Sequence, residues 1–149
     1  MVSKDFKDYQ ILHIKEKDIT SSGADLADIN LFFIIALDKF FGTLFVEYGI
    51  HAVILFNGLT TGNHKSFTHK RGLAGDIAFA VSASEMSIYS IWKKAIEAGF
   101  KGIGLYWNGV AYSMHLDLRP SLAFWSMRKD ETGAWISDSV FKDPREIKI

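Results

Sequence analysis

The sequence contains no cysteine and only two prolines among its 149 residues. The absence of cysteine excludes disulfides, cysteine-based zinc fingers, iron–sulfur clusters and a thiol nucleophile, so nitrogen and oxygen atoms must hold any metal. A chain of this length buries about two thirds of the surface that its unfolded form exposes, and it can therefore fold without disulfides. Because the sequence has no internal repeat, low-complexity tract or flexible linker, residues 1–149 are predicted to form one domain.

The chain also lacks a net charge, because 17 basic residues balance 17 acidic ones. This balance argues against a whole-molecule attraction to nucleic acid or to anionic lipid. Residues 1–7 are too charged for a signal peptide, and the most apolar stretch, Leu31 to Val46, is interrupted by Asp38 and Lys39. That stretch is shorter than the roughly 18 to 20 apolar residues of a membrane span. We therefore expect no nucleic-acid or membrane partner, and synthesis in the cytoplasm without a signal peptide. We also expect a monomer.

Hydrophobic periodicity predicts an order of helices and strands that indicates the fold class. Apolar side chains recur every three or four residues from Ala24 to Tyr48, which predicts a long helix that ends at Gly49. A second helix is predicted from Ser82 to Gly99, with Ser82 as its cap. Strands are predicted at 51–56, which we expect to be buried, and at 76–81, followed by hairpins within 102–118 and 124–136. This order is not a repeated βαβ pattern, and it predicts an α+β fold with helices packed against a mainly antiparallel sheet.

The pattern H-x-x-G-x-A-x-D runs from His69 to Asp76. Between these two residues, Gly72 and Gly75 permit a tight reversal of the chain, and the small side chain of Ala74 lets the backbone pack closely. Such a reversal would bring an imidazole and a carboxylate to one point. Zinc accepts both kinds of ligand at about 2.0 to 2.2 Å.

A third candidate ligand lies on the predicted strand that ends at Leu118. Side chains alternate along a strand, which places Ser113, His115 and Asp117 on one face and the apolar residues between them on the other. Two histidines and one carboxylate leave a fourth zinc position for water, which is typical of a catalytic site.

Together these motifs resemble the zinc D-alanyl-D-alanine carboxypeptidase and L-alanyl-D-glutamate endopeptidase family, whose superfamily includes the vancomycin-resistance dipeptidases and the hedgehog signalling domain. The resemblance includes the segment Gly102-Ile103-Gly104-Leu105-Tyr106 and the H-x-D strand at His115. These two segments fit the branch of cell-wall endopeptidases that contains phage endolysins. The similarity covers roughly Val53 to Trp125, about half of the chain.

The resemblance implies a hedgehog/D,D-peptidase-like fold and a zinc ion (Zn²⁺) held by His69, Asp76 and His115. It further implies a metallopeptidase, a hydrolase that degrades the cell wall as a D,D- or L,D-peptidase of peptidoglycan stem peptides. Asp117, on the same strand face as His115, is the candidate general base. It is equally a candidate for a carboxylate that orients a ligand histidine.

The sequence departs from the family pattern at two points. Family members often carry an arginine in an S-G-Y-R segment, where this chain has Asn57-Gly58-Leu59-Thr60. Tyr112 stands where many members have an acidic general base. We expect His64, Lys65 and Arg71 to contact the substrate, since a basic loop attracts the carboxylates of a stem peptide.

Without a signal peptide, the chain best fits an endolysin that acts on the cell wall after release during phage or prophage lysis. Two alternatives remain open. The first is a catalytically inactive zinc-containing domain that binds the cell wall. The second is a structural domain of a phage particle in which the motif residues serve packing only.

Overall fold

The computed structural model describes residues 1–59, 71–79 and 85–137, with the side chains of 85–87 excepted. Within these ranges the helices are α1 (Asp5–Asp8), α2 (Glu16–Ser21), α3 (Leu31–Tyr48) and α4 (Glu85–Glu97), with a 3₁₀ turn at Leu26–Asp28. The strands are β1 (Ala52–Ile54), β2 (Ala74–Phe79), β3 (Gly102–Trp107), β4 (Tyr112–Asp117), β5 (Ala123–Lys129) and β6 (Trp135–Ser137).

The described strands form one six-stranded sheet in the order β1-β2-β4-β3-β5-β6. All neighbours are antiparallel except β3 and β5, which are parallel. The two predicted hairpins are present, as β3–β4 and β5–β6. After β4 the chain passes to the other side of β3, so that β5 runs in the same direction as β3. The helices and this mostly antiparallel sheet confirm the α+β class.

Helix α3 begins later than the periodicity predicted and ends where it was expected. The side chain of Asn30 accepts a hydrogen bond from the Phe32 N–H (2.9 Å), which caps the helix at Leu31. The preceding residue, Ile29, is extended, so the prediction of a helix from Ala24 was wrong. Gly49 ends the helix in the left-handed conformation, at φ 65°. Among the described residues, no helix is long and apolar enough to cross a membrane.

The two strands that precede α4 also differ in detail from expectation. A strand is present within 51–56, but it lies at the sheet edge and Val53 is 56% exposed, so the expectation of a buried strand was wrong. Strand β2 begins at Ala74, and Asp76 therefore lies within the strand rather than at its head. Residue Ser82, the predicted cap of the second helix, lies outside the described residues.

Helices α3 and α4 cover one face of the sheet. Phe33 and Phe40 of α3 both pack edge-on against Phe100, with ring centroids 5.8 and 6.2 Å apart. Trp92 of α4 packs against Phe124 of β5 in the same way, at 5.9 Å. The sheet contributes fully buried side chains to this core, namely Ile77, Ile103, Leu105, Met114 and Leu116. Because side chains alternate along each strand, their neighbours in sequence lie on the opposite face.

Candidate metal centre

Asp76, His115, Gly104 and Trp125 lie side by side in a row across four neighbouring strands. Asp76 of β2 pairs with His115 of β4, His115 pairs with Gly104 of β3, and Gly104 pairs with Trp125 of β5. Residues that are directly opposite each other in a sheet share a face. The register therefore brings two of the three predicted zinc ligands together, on the face that α3 and α4 do not cover.

Each ring nitrogen of His115 faces a carboxylate. Its Nδ1 lies 3.1 Å from Oδ1 of Asp76, and its Nε2 lies 2.7 Å from Oδ2 of Asp117. The histidine is only 8% exposed, whereas the Asp76 side chain is 32% exposed and Asp117 is fully buried. Burial on its own would lower the pKa of His115, but the hydrogen bonds to Asp117 and Asp76 outweigh it and raise that pKa above its usual value.

Both oxygens of Asp117 are already engaged. Arg119 donates to Oδ1 through its backbone N–H (3.0 Å) and its Nε (2.8 Å), and to Oδ2 through Nη2 (2.6 Å). Burial would raise the pKa of Asp117, but the bonds from Arg119 and His115 hold that pKa well below its usual range. A buried carboxylate that stays ionised and has its oxygens occupied is suited to orient His115. Of the two roles left open for Asp117, the geometry favours this one, and the role of general base stays a prediction.

Arg119 was not singled out from the sequence. Its guanidinium lies over the ring of Trp125, 5.0 Å from the centroid, in addition to its bonds to Asp117. Strand alternation could have indicated it, because Arg119 comes two residues after Asp117 and so continues the series Ser113, His115, Asp117.

Trp125 forms an apolar wall beside the candidate ligand. Its ring lies 5.3 Å from that of His115, and its Nε1–H donates to the hydroxyl oxygen of Tyr106 (2.8 Å). A Cβ at Gly104 would collide with the indole, so the glycine leaves the space that Trp125 fills. Burial raises the pKa of the Tyr106 hydroxyl above its usual value, and the charge on Asp76 adds to this. The Tyr106 hydroxyl is therefore a neutral group near the cluster.

The two glycines of the predicted zinc loop have different functions. Gly72 adopts φ +68°, and its carbonyl accepts the Asn30 N–H (3.0 Å). A Cβ at Gly72 would collide with the carbonyl oxygen of Asp28, so this position combines a left-handed conformation with close packing. Gly75 instead lies in extended β2, where a Cβ would approach the ring of Phe33 to 2.9 Å. Gly72 therefore needs the left-handed conformation that only glycine adopts readily, while Gly75 serves close packing. The reversal that would bring His69 to Asp76 stays a prediction, because His69 lies outside the described residues.

Three of the predicted site residues, His64, Lys65 and His69, lie outside the described residues. Arg71 is described and is exposed, five residues before Asp76. Tyr112 lies on the opposite face from His115 and packs against Trp107, with ring centroids 4.4 Å apart. Tyr112 is therefore not placed to act on a group bound beside Asp76.

The Asp76–His115 pair has the donor set of a partial metal site. In the part of the chain that the structure describes, no group of three or more histidine, aspartate or glutamate side chains is arranged to hold a metal ion. The pair does supply two atoms that zinc prefers, a carboxylate oxygen and an imidazole nitrogen. The second ring nitrogen bonds a carboxylate, as is usual for a metal-binding histidine. These residues fit two positions of the expected three-ligand site.

No protein-family model, curated protein or solved structure matches the chain. Support for a function therefore comes from the motif residues and from the geometry of this cluster.

Proposed function

We propose that this chain is a zinc-dependent peptidase of the hedgehog/D,D-peptidase-like superfamily that hydrolyses a bond in the stem peptides of peptidoglycan. The observation that carries the proposal is the cross-strand pair of Asp76 and His115, whose Nδ1 faces the Asp76 carboxylate while Asp117 bonds Nε2. The ligands would be His69, Asp76 and His115. A bound zinc ion supplies a Lewis acid for the scissile carbonyl and lowers the pKa of water toward neutrality.

Asp117 selects the form of His115 that such a site needs. When Nε2–H donates to Asp117, the proton of a neutral imidazole is on Nε2 and Nδ1 carries a lone pair, which is the form in which an imidazole binds a cation. That lone pair points to the side of the ring that faces Asp76, where Nδ1 lies 3.1 Å from Oδ1 of Asp76. The Asp76 side chain is partly exposed while Asp117 is buried, so the open side of the cluster is the side with Asp76 and Nδ1 of His115.

The surroundings of the pair also suit a peptide substrate. Trp125 borders His115 with an apolar ring, and the neutral hydroxyl of Tyr106 accepts the Nε1–H of Trp125. Arg71 is exposed at the end of the zinc loop, where a cation would attract the carboxylates of a stem peptide. We assign His64 and Lys65 to the same task. Release during phage lysis, as for an endolysin, is the proposed route to the cell wall.

A metal-free function has one observation in its favour. The pKa of His115 is raised, and a protonated His115 between Asp76 and Asp117 would form a closed ion network without any metal. In that case the cluster would serve packing, as in a structural domain. Metal analysis of the purified protein separates the two functions.

The proposed function is tested by digesting purified sacculi with zinc-loaded protein and identifying the products by mass spectrometry. We expect peptide-cleaved fragments with intact glycan strands, and the fragment masses will show whether a D,D or an L,D bond is cut. His115→Ala should abolish both cleavage and stoichiometric zinc binding. The matched control is His51→Ala, because His51 is exposed and packs against Phe45, 4.9 Å between ring centroids.

Three results would contradict the proposal in different ways. New reducing sugar ends without peptide cleavage would indicate a glycosidase. Zinc binding without any cleavage would indicate an inactive cell-wall-binding domain. Full zinc binding by His115→Ala would refute the assignment of the site itself.

A further inference from the structure

We infer that Arg119 is a positioning residue of the metal centre, which fixes the orientation of His115 through Asp117. The inference rests on the proposed metal site at Asp76 and His115. It assigns to Arg119 a role that neither the zinc-binding motif nor the H-x-D strand includes.

The first step concerns the contact between Arg119 and Asp117. Nε and Nη2 of the guanidinium donate to the two different oxygens of the carboxylate, at 2.8 and 2.6 Å. Two parallel charge-assisted bonds of this kind fix the plane of the carboxylate as well as its position. The backbone N–H of Arg119 donates to Oδ1 as well, at 3.0 Å. Asp117 therefore cannot rotate without breaking several bonds to this one residue.

The second step passes this constraint to the candidate ligand. Oδ2 of Asp117 accepts hydrogen bonds from both Nη2 of Arg119 and Nε2 of His115, at 2.6 and 2.7 Å. The position of that oxygen sets the direction in which the Nε2–H bond points. Because the imidazole is rigid, fixing Nε2 also fixes the direction of Nδ1, which faces Asp76. Arg119 therefore influences a ligand that it does not touch.

The third step is that groups other than the Asp117 carboxylate also hold Arg119 in place. Its guanidinium lies over the Trp125 ring at 5.0 Å, an arrangement that cation–π attraction favours. Gly102 lies beneath, and a Cβ there would collide with both the Asp117 carboxylate and the Arg119 side chain. The sheet thus provides a space in which the planar arginine fork fits. A lysine would supply a point charge but not the fork.

A direct role in substrate binding is the competing assignment. Among the described residues, the Arg119 guanidinium donates through Nε and Nη2 but not through Nη1, and the Arg119 side chain is 32% exposed. The charge of Arg119 is, however, already compensated by the buried Asp117 carboxylate. A compensated cation attracts a further carboxylate weakly, which favours the positioning role.

The test is a zinc titration against a chromophoric chelator for the wild type, Arg119→Lys and Arg119→Gln. The control is Arg128→Gln, because Arg128 is exposed on β5 and its position faces away from Trp125. We expect both Arg119 variants to bind zinc about 10 to 100-fold more weakly, the range for residues that support a ligand. The control should bind as the wild type does. Circular dichroism of each metal-free variant will show that it is folded, and Arg119→Lys keeps the charge if Arg119→Gln proves unstable.

Two further readouts separate positioning from mere stability and from substrate binding. The visible spectrum of the cobalt-substituted protein should change in Arg119→Lys, because the orientation of a ligand changes. At saturating zinc, we expect kcat to recover and KM to stay near the wild-type value. Unchanged zinc affinity and an unchanged cobalt spectrum, or a raised KM at wild-type zinc affinity, would overturn the inference. A wild type that binds no zinc would instead refute the proposed function.

Discussion

Asp117→Asn tests the role of Asp117 with the smallest change in shape. Both oxygens of the carboxylate accept hydrogen bonds. Oδ1 accepts one from Nε of Arg119, and Oδ2 accepts one from Nη2 of Arg119 and one from Nε2 of His115. An asparagine has one oxygen and one NH₂ group, which only donates. If the NH₂ group faces His115, it meets the Nε2–H, which is also a donor. If it faces Arg119, it meets the donors of the guanidinium. The negative charge on which both contacts depend is lost in either case.

The structure allows the size of the effect to be worked out for each role. A hydrogen bond to a charged group contributes about 1.5 to 3 kcal/mol. If the Nε2 bond, at 2.7 Å, serves to orient His115, its loss should weaken zinc binding by about 10 to 150-fold, since about 1.4 kcal/mol corresponds to a factor of ten. A general base would leave zinc binding nearly unchanged, and its loss would cost on the order of 10² to 10⁴ in turnover.

The assay measures zinc affinity by chelator competition and turnover of muropeptides as a function of added zinc. We expect Asp117→Asn to show weakened zinc affinity and a turnover that excess zinc largely restores. Urea unfolding of the metal-free protein is the control for stability, because Arg119 also loses its partner in this variant. Wild-type zinc affinity together with a turnover that saturating zinc fails to restore would refute the orienting role and establish the general base.

Three other changes test the surroundings of the site and the fold. Gly104→Ala should displace Trp125, at a cost of about 1 to 3 kcal/mol in the free energy of unfolding, and an unchanged near-ultraviolet circular dichroism spectrum would contradict this. Gly72→Ala should cost at least about 1 to 2 kcal/mol, because an alanine at φ +68° is strained and its Cβ meets the carbonyl of Asp28; urea unfolding measures this. The hydrogen bond from Thr132 lowers the pKa of the Asp130 carboxyl group. The ionised Asp130 therefore stabilises the β5–β6 turn at a pH above the pKa that Asp130 has in the unfolded chain, and this stabilisation is lost as the pH falls through the pKa of Asp130 in the folded chain. The difference in urea midpoint between the wild type and Asp130→Ala should therefore shrink below about pH 4, and a constant difference would argue against it.

Local patterns predicted the elements whose boundaries depend on local chemistry. The stop of α3 at Gly49 and the β3–β4 turn are of this kind; in the turn, the Asn108 side chain accepts the N–H groups of Val110 and Ala111. The predicted start of α3 was wrong because the apolar periodicity includes the residues from Ala24 to Ile29, whereas the Asn30 cap makes the helix begin at Leu31. The parallel pairing of β3 and β5 depends on contacts between distant segments, which periodicity does not contain.

The same distinction applies to the candidate site. Strand alternation placed His115 and Asp117 on one face, because that is a property of a single strand. It did not give the pairing of Asp76 with His115, since the register between β2 and β4 decides which residues are opposite. The ring contact of Trp125 with His115 needs three strands in register, and the sequence alone does not specify that register.

The G-x-G segment of β3 shows how a strand can serve a site without contributing a functional side chain. Gly102 is opposite Asp117 and Gly104 is opposite His115, so both glycines lie beneath the polar cluster. Neither has a positive φ, and the conformational freedom of glycine is therefore not what these positions require. They require space, because a Cβ at Gly102 would meet the Asp117–Arg119 ion pair and a Cβ at Gly104 would meet the indole of Trp125. The side chains of β4 and β5 can meet across β3 only because β3 leaves that space empty.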